Sequence, residues 1–288
     1  MGSAGDMLTQ WVESLLITSY LGMSALGLFT VTRSIIRDPL RRFMSIFDEV
    51  LLPSLASLQG HAERLRQYYL TVVRYELTLF GPIIAFITVF AHELTELFYG
   101  PDWLPVGLVA QLLAFQSWRM TTVHSVSAVF LSQGRPGLRF WWVVQTLAFI
   151  PVYFFAGLRW GLPGYAASCS IVGLAGWAVS HAMANHVIDL PWRRFLRAIS
   201  TPFFAHLLLG LLLLATRHAL KGRIATHGCD TVLLVIVPAA LAYLAILGAI
   251  DRPLLLGVAA SFRDALRRGS TRTSDDDETR TRAPEVAC

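Results

Sequence analysis

Arginine is the residue type with the most chemistry to offer in this chain, because it occurs where an apolar sequence seldom carries charge. Arg33, Arg37, Arg41 and Arg42 cluster within ten residues, Arg119 lies well inside a long apolar run, and Arg74 stands near the start of another, close to Glu76. A guanidinium stays charged at physiological pH and offers a planar fork of donors to two phosphate oxygens at once. At membrane depth an ionisable side chain is a functional candidate by default. Arg33, Arg37, Arg41, Arg74 and Arg119 are therefore the candidate substrate-binding residues. Arg33 to Arg42 could equally snorkel to lipid head groups, and Arg74 could anchor a helix at the interface; the sequence leaves these readings open. Asp48 and Glu49 either pair with nearby arginines or carry a coupling proton or sodium ion.

Other reactive residue types point nowhere in particular. His92, Glu93 and Glu96 in the run HELTE lie on adjacent helix turns, but the second histidine of a zinc-protease motif is missing. They read as markers of a membrane interface. His124, His181 and His206 stand alone in apolar stretches and read as hydrogen-bonded core groups. Cys169, Cys229 and Cys288 are too few and too scattered for a disulfide framework. There is no G-x-S-x-G elbow, P-loop or dinucleotide fingerprint. No catalytic residue, metal site or cofactor is expected, and the chain reads as something other than an enzyme.

The elements that must position these arginines are membrane helices. Hydrophobic residues make up 55% of the 288 and charged residues 15%, with a mean hydropathy of +0.54. Seven stretches have the length and apolarity of a transmembrane helix: roughly Ser14–Val31, Leu77–Phe98, Leu104–Leu131, Phe140–Leu158, Leu162–Ala184, Thr201–Ala215 and Val232–Ile250. None alternates with the two-residue period of a barrel strand. Pro82, Pro151, Pro202 and Pro238 fall inside them, which membrane helices tolerate, and Gly22, Gly27, Ala166, Ser170, Gly176 and Ser180 permit close helix contact. From Phe43 to Leu58 apolar residues recur at helical spacing opposite Arg41, Ser45, Asp48 and Glu49. That segment either lies in the interface or spans the bilayer beside a wet cavity.

Seven spans put fifteen basic residues on one side and four on the other. Eight spans move Arg33, Arg37, Arg41 and Arg42 across and give eleven against eight, so the positive-inside rule alone favours seven. The N-terminus has no basic run ahead of its first span, so no signal peptide is expected. Phe262 to Arg268 reads as a short basic amphipathic helix, and the stretch after Gly269 as a disordered tail. The net charge of +5 suits Arg-rich loops meeting anionic lipid heads, not nucleic acid.

Four short elements recur in order at helix-length spacing: Leu21-Gly22 with Ala25-Leu26-Gly27; Pro53 with Leu58-Gln59 and Glu63-Arg64-Leu65-Arg66; Phe98-Tyr99-Gly100 with Trp103; and Gly134-Arg135-Pro136. Over roughly residues 15–185 the chain thereby resembles the Wzx-like flippases of lipid-linked oligosaccharides and polysaccharides, in the multidrug/oligosaccharidyl-lipid/polysaccharide superfamily. The resemblance implies an all-α polytopic bundle in which the Phe43–Leu58 segment is a span. That gives about eight transmembrane helices with both ends cytoplasmic in a bacterial inner membrane. It covers the second lobe of a two-lobe transporter plus two extra helices: a six-helix lobe at 1–186, two added helices at 187–250 and a cytoplasmic tail at 251–288. The implied partners are a polyprenyl diphosphate glycan, membrane lipids and a first lobe or second subunit supplied from elsewhere.

On this resemblance the expected function is translocation of lipid-linked oligosaccharide precursors by alternating access through a cationic cavity, with the Arg33–Arg42 loop at its mouth. The alternatives are an exporter of cationic drugs, which would need an acidic cavity; a membrane enzyme of glycan assembly, which would need sizeable extramembrane loops; and an inactive fragment.

Overall fold

The structure, a computed structural model, describes residues 4–220, 228–253 and 256. Within those ranges the side chains of Arg37, Arg41, Arg42, Asp48, Glu49 and His124 are among those outside the described residues, as is the expected amphipathic segment from Phe262. The described residues are helical with no strand among them, in the order α1 (Ala4–Ser57), α2 (Ala62–Val89), α3 (Ala91–Tyr99), α4 (Leu104–Ser132), α5 (Pro136–Gly157), α6 (Gly161–Val187), α7 (Trp192–Ala219) and α8 (Gly228–Ile250). Two compact units divide the chain, Met1–Tyr243 and Leu244–Cys288.

Helix α1 is two helices joined at Gly22, whose φ of 87° and ψ of 172° belong to a backbone region that is essentially glycine's own. Tyr20 packs on Phe154 and Phe155 at the end of α5. On the near side of the break Glu13 bonds Tyr153, and on the far side Phe29 packs on Tyr165. Those two tyrosine rings touch, so the chain turns back at Gly22 and its two arms flank one region.

This corrects the expectation of a first hairpin at Arg33–Arg42. The helix runs unbroken through those arginines to Ser57, and the apolar stretch Ser14–Val31 is the one that is broken. The Phe43–Leu58 segment is the far end of the same helix.

At one end of the first unit the turns at 58–61, 133–135 and 188–191 come together. The Gln59 amide donates to the Ser132 carbonyl, Arg66 Nε donates to the Ile188 carbonyl at 2.7 Å, and Arg194 pairs with Glu63 at 2.6 Å. Beneath them a core joins Leu51 and Leu55 of α1, Tyr69 and Leu77 of α2, Phe130 of α4 and Phe195 of α7. On the α3 side, Arg217 near the end of α7 binds buried Glu93 at 2.7 Å, which gives the HELTE run a structural role. Helix α7, read from the sequence as one of two additions, packs directly along α2.

Among the described residues four stretches can cross a membrane by length and composition: Met7–Ile36, which contains the Gly22 turn, Ala62–Val89, Pro136–Val187, which contains both α5 and α6, and Trp192–Ala219. The protein is an all-α polytopic membrane bundle. Lipid is as apolar as leucine, so its helices are held by close packing and internal polar bonds and not by hydrophobic burial. Accordingly α7 leaves Leu207, Leu208, Leu211 and Leu214 exposed, while its His206 is buried.

Two polar networks lock the interior. Trp118 Nε1 donates to His206 Nδ1 at 3.4 Å, which leaves the ring proton on Nε2 to donate to the Tyr243 hydroxyl; that hydroxyl donates in turn to the Thr78 carbonyl. His181 bonds the Tyr69 hydroxyl at 3.0 Å and Thr122 Oγ1 at 3.1 Å, and Trp177 Nε1 donates to the same Thr122 oxygen. Both histidines are hydrogen-bonded core groups.

Candidate substrate cavity

A cavity of about 500 Å³ lies among both arms of α1, α4, α5 and α6. Its walls exist because four elements leave a gap that their side chains do not fill. The turn at Gly22 sets Thr9, Gln10 and Glu13 beside Phe29, Thr32 and Arg33, and α4, α5 and α6 complete the enclosure.

Arg119 lies midway along α4. Its guanidinium rests against Gly173 of α6, so that a β-carbon there would stand 3.0–3.1 Å from it. The helix carrying Arg119 is fixed from behind: Thr122 Oγ1 bonds both the Arg119 carbonyl and His181. Arg33 reaches the cavity from the second arm of α1, with its guanidinium 5.7 Å from the Phe29 ring, a cation–π contact one turn away. Arg139, in the first turns of α5, lines the cavity near the end where the Gln59 and Gln133 turns meet.

The one acidic side chain among the described lining residues is Glu13, 7% exposed, whose Oε1 accepts the Tyr153 hydroxyl at 3.1 Å. Uncharged polar groups fill in between. Gln145 Nε2 donates to the Gly176 carbonyl, Trp142 Nε1 donates to Ser180 Oγ, and Gln10, Gln116 and Thr146 also face the space.

The structure brings Arg33 and Arg119 together on one cavity. Arg74 is placed elsewhere: it is half-buried in mid-α2, because that helix begins at Ala62 and not near Leu77, and it does not line this cavity. Arg37 and Arg41 follow Arg33 on the same helix; their side chains, like those of Asp48 and Glu49, lie outside the described residues.

Sequence reading missed Glu13 and Arg139. Glu13 stands one residue ahead of the first apolar stretch and looks like an interface residue, and Arg139 looks like a loop cation ahead of Phe140. The signal that could have found Glu13 is the amphipathic pattern of Gly5, Thr9, Gln10 and Glu13, four polar or small residues on one helix face. Three arginines against one carboxylate leave the described lining with a surplus of two positive charges.

Residues 1–107 match the family of polysaccharide biosynthesis proteins. Over that stretch the chain is similar to polysaccharide biosynthesis proteins. The flippase resemblance carried by the four motifs is borne out at that level. Among curated relatives, the chain is 23% identical over 203 residues to the teichuronic acid biosynthesis protein TuaB of Bacillus subtilis, covering 70% of this chain and 42% of that one. It is 24% identical over 140 residues to the amylovoran biosynthesis protein AmsL of Erwinia amylovora, covering 48% and 36%. The chain thus spans about two fifths of the length of the relatives it matches. No solved structure matches it.

Proposed function

We propose that this chain is a membrane lobe for export of anionic, lipid-linked saccharide precursors, and that its cavity binds the phosphate-bearing head group. The observation that carries this reading is the pair Arg33 and Arg119 on one cavity inside an apolar bundle. Passing a diphosphate through hydrocarbon is prohibitive unless cationic donors replace its water. The neutral amides and hydroxyls between the arginines suit sugar hydroxyls. The family and both relatives are named for polysaccharide biosynthesis, which supports the same cargo class. A drug exporter for cations would want an acidic lining, and the described lining here is net basic.

Movement across the bilayer follows the alternating-access pattern, in which one lobe rocks against another around a fixed site. The other lobe, the first by the resemblance, comes from a further part of the polypeptide or from another subunit. The Gln59, Gln133 and Asp189 turns face the cytoplasm of the inner membrane. Among the described residues of the first unit, Arg64, Arg66, Arg135, Arg139, Arg193, Arg194 and Arg197 gather at that end, against Arg159 and Arg217 at the other. Arg33 to Arg42 lie within a helix and count for neither side, which removes the conflict between eight spans and the positive-inside rule.

The test is binding of a polyprenyl diphosphate-sugar lipid to the purified full chain in detergent, with a neutral glycolipid as comparison. Preference for the diphosphate lipid, lost in Arg33→Gln and Arg119→Gln, is expected. Equal affinity for both lipids would sink the reading.

A further inference from the structure

We propose that Glu13 is the release residue of the cavity: a resident carboxylate that competes with the cargo's phosphates for the guanidinium groups of Arg33 and Arg119. The proposal rests on the phosphate reading of the cavity.

A buried carboxylate in an apolar bundle is costly, and the hydroxyl of Tyr153 is a single neutral donor that does not offset a full charge. Favourable fields from the cations on the same cavity do. Tyr153 on α5 bonds Glu13 and packs on Tyr165 of α6, and Arg119 on α4 and Arg33 on the second arm of α1 line the same cavity. Glu13 therefore stands on the same cavity as a fixed counter-charge to these guanidinium groups.

An arriving diphosphate diester carries two negative charges, matching the surplus of two on the described lining. It takes over the guanidinium groups and leaves Glu13 to Tyr153. When the cargo departs, the carboxylate reoccupies the field. Neutralising Glu13 leaves three cations facing a two-charge cargo, which binds more firmly and leaves more slowly. A transport site must release as well as capture.

Glu13→Gln keeps the side chain's size and its acceptor for Tyr153. In the binding assay above it should tighten the diphosphate lipid about tenfold and slow its dissociation to match. Tyr153→Phe removes the donor that shares the carboxylate, frees it for the arginines, and should weaken binding severalfold. This opposite shift keeps the test decisive where Glu13→Gln does not fold. Replacing sodium by potassium should change nothing. Unchanged or weaker binding in Glu13→Gln, or a sodium dependence that this variant abolishes, would overturn the proposal; the latter would make Glu13 a cation site. A wild-type chain with no preference for the charged lipid would instead defeat the phosphate reading beneath it, and this proposal with it.

Discussion

The guanidinium of Arg119 is positioned from two sides, by Gly173 in front and by the Thr122–His181 bonds behind. A methyl group at Gly173 would press on it, and because a long side chain can give way, the helix pair should survive. Gly173→Ala is therefore expected to weaken binding of a diphosphate lipid severalfold while the thermal unfolding midpoint stays within a few degrees. Arg119→Lys tests the fork itself. A lysine keeps the charge but offers one point of donors, so affinity should fall by about tenfold and not recover toward wild type. Wild-type affinity in the lysine variant would mean that charge alone counts. Arg119 was legible in the sequence because a charge deep in an apolar run has no innocent explanation. Glu13 was not, because a carboxylate at the edge of an apolar stretch has an obvious one, and only the turn at Gly22 carries it inward.

At the scale of elements, that turn is the feature hydropathy cannot see. Apolar residues continue through Leu21 and Met23, so the sequence shows one span where the chain reverses, and Gly22 reads merely as a small residue for close packing. Arg33 to Arg42, with Pro39 among them, reads as a loop for the opposite reason: charge and proline mark loops in most apolar proteins, but here the helix continues because Arg33 faces a cavity. Gly22→Ala should cost about 1–3 kcal/mol, since a β-carbon is strained in that backbone region. A lowered unfolding midpoint in detergent, with loss of folded protein at the extreme, is the expected reading. An unchanged midpoint would show that the chain need not turn there.

The Glu93–Arg217 pair ties α3 to the end of α7 with exposures of 8% and 31%. A double-mutant cycle of Glu93→Gln and Arg217→Gln should give a coupling of about 0.5–3 kcal/mol. A coupling near zero would reduce the contact to an incidental one. From the sequence HELTE showed only that polar groups stood at a helix end; its partner lies 124 residues away.

For the whole molecule, the all-helical membrane class was legible because the apolar runs have the length of spanning helices and lack the two-residue period of a barrel, the other fold that satisfies its backbone in lipid. The arrangement of its ends was not, since the count of basic residues by side depends on where the first turn falls. With that turn at Gly22, the Gln59, Gln133 and Asp189 turns share one end with the basic cluster, and the turns at Trp103 and Arg159 share the other. Single cysteines introduced at Gln133 and Asp189, after removal of Cys169, Cys229 and Cys288, should be sealed from a membrane-impermeant maleimide in intact spheroplasts and react once the membrane is opened. Cysteines at Trp103 and Arg159 should react in both. The alternative turn at Arg33–Arg42 predicts a different outcome at one site. A probe at Arg33 would react freely as part of a loop, whereas in the helix lining the cavity it should be slowed by the diphosphate lipid. Free, lipid-insensitive labelling there would return the first turn to Arg33–Arg42 and take Arg33 out of the cavity.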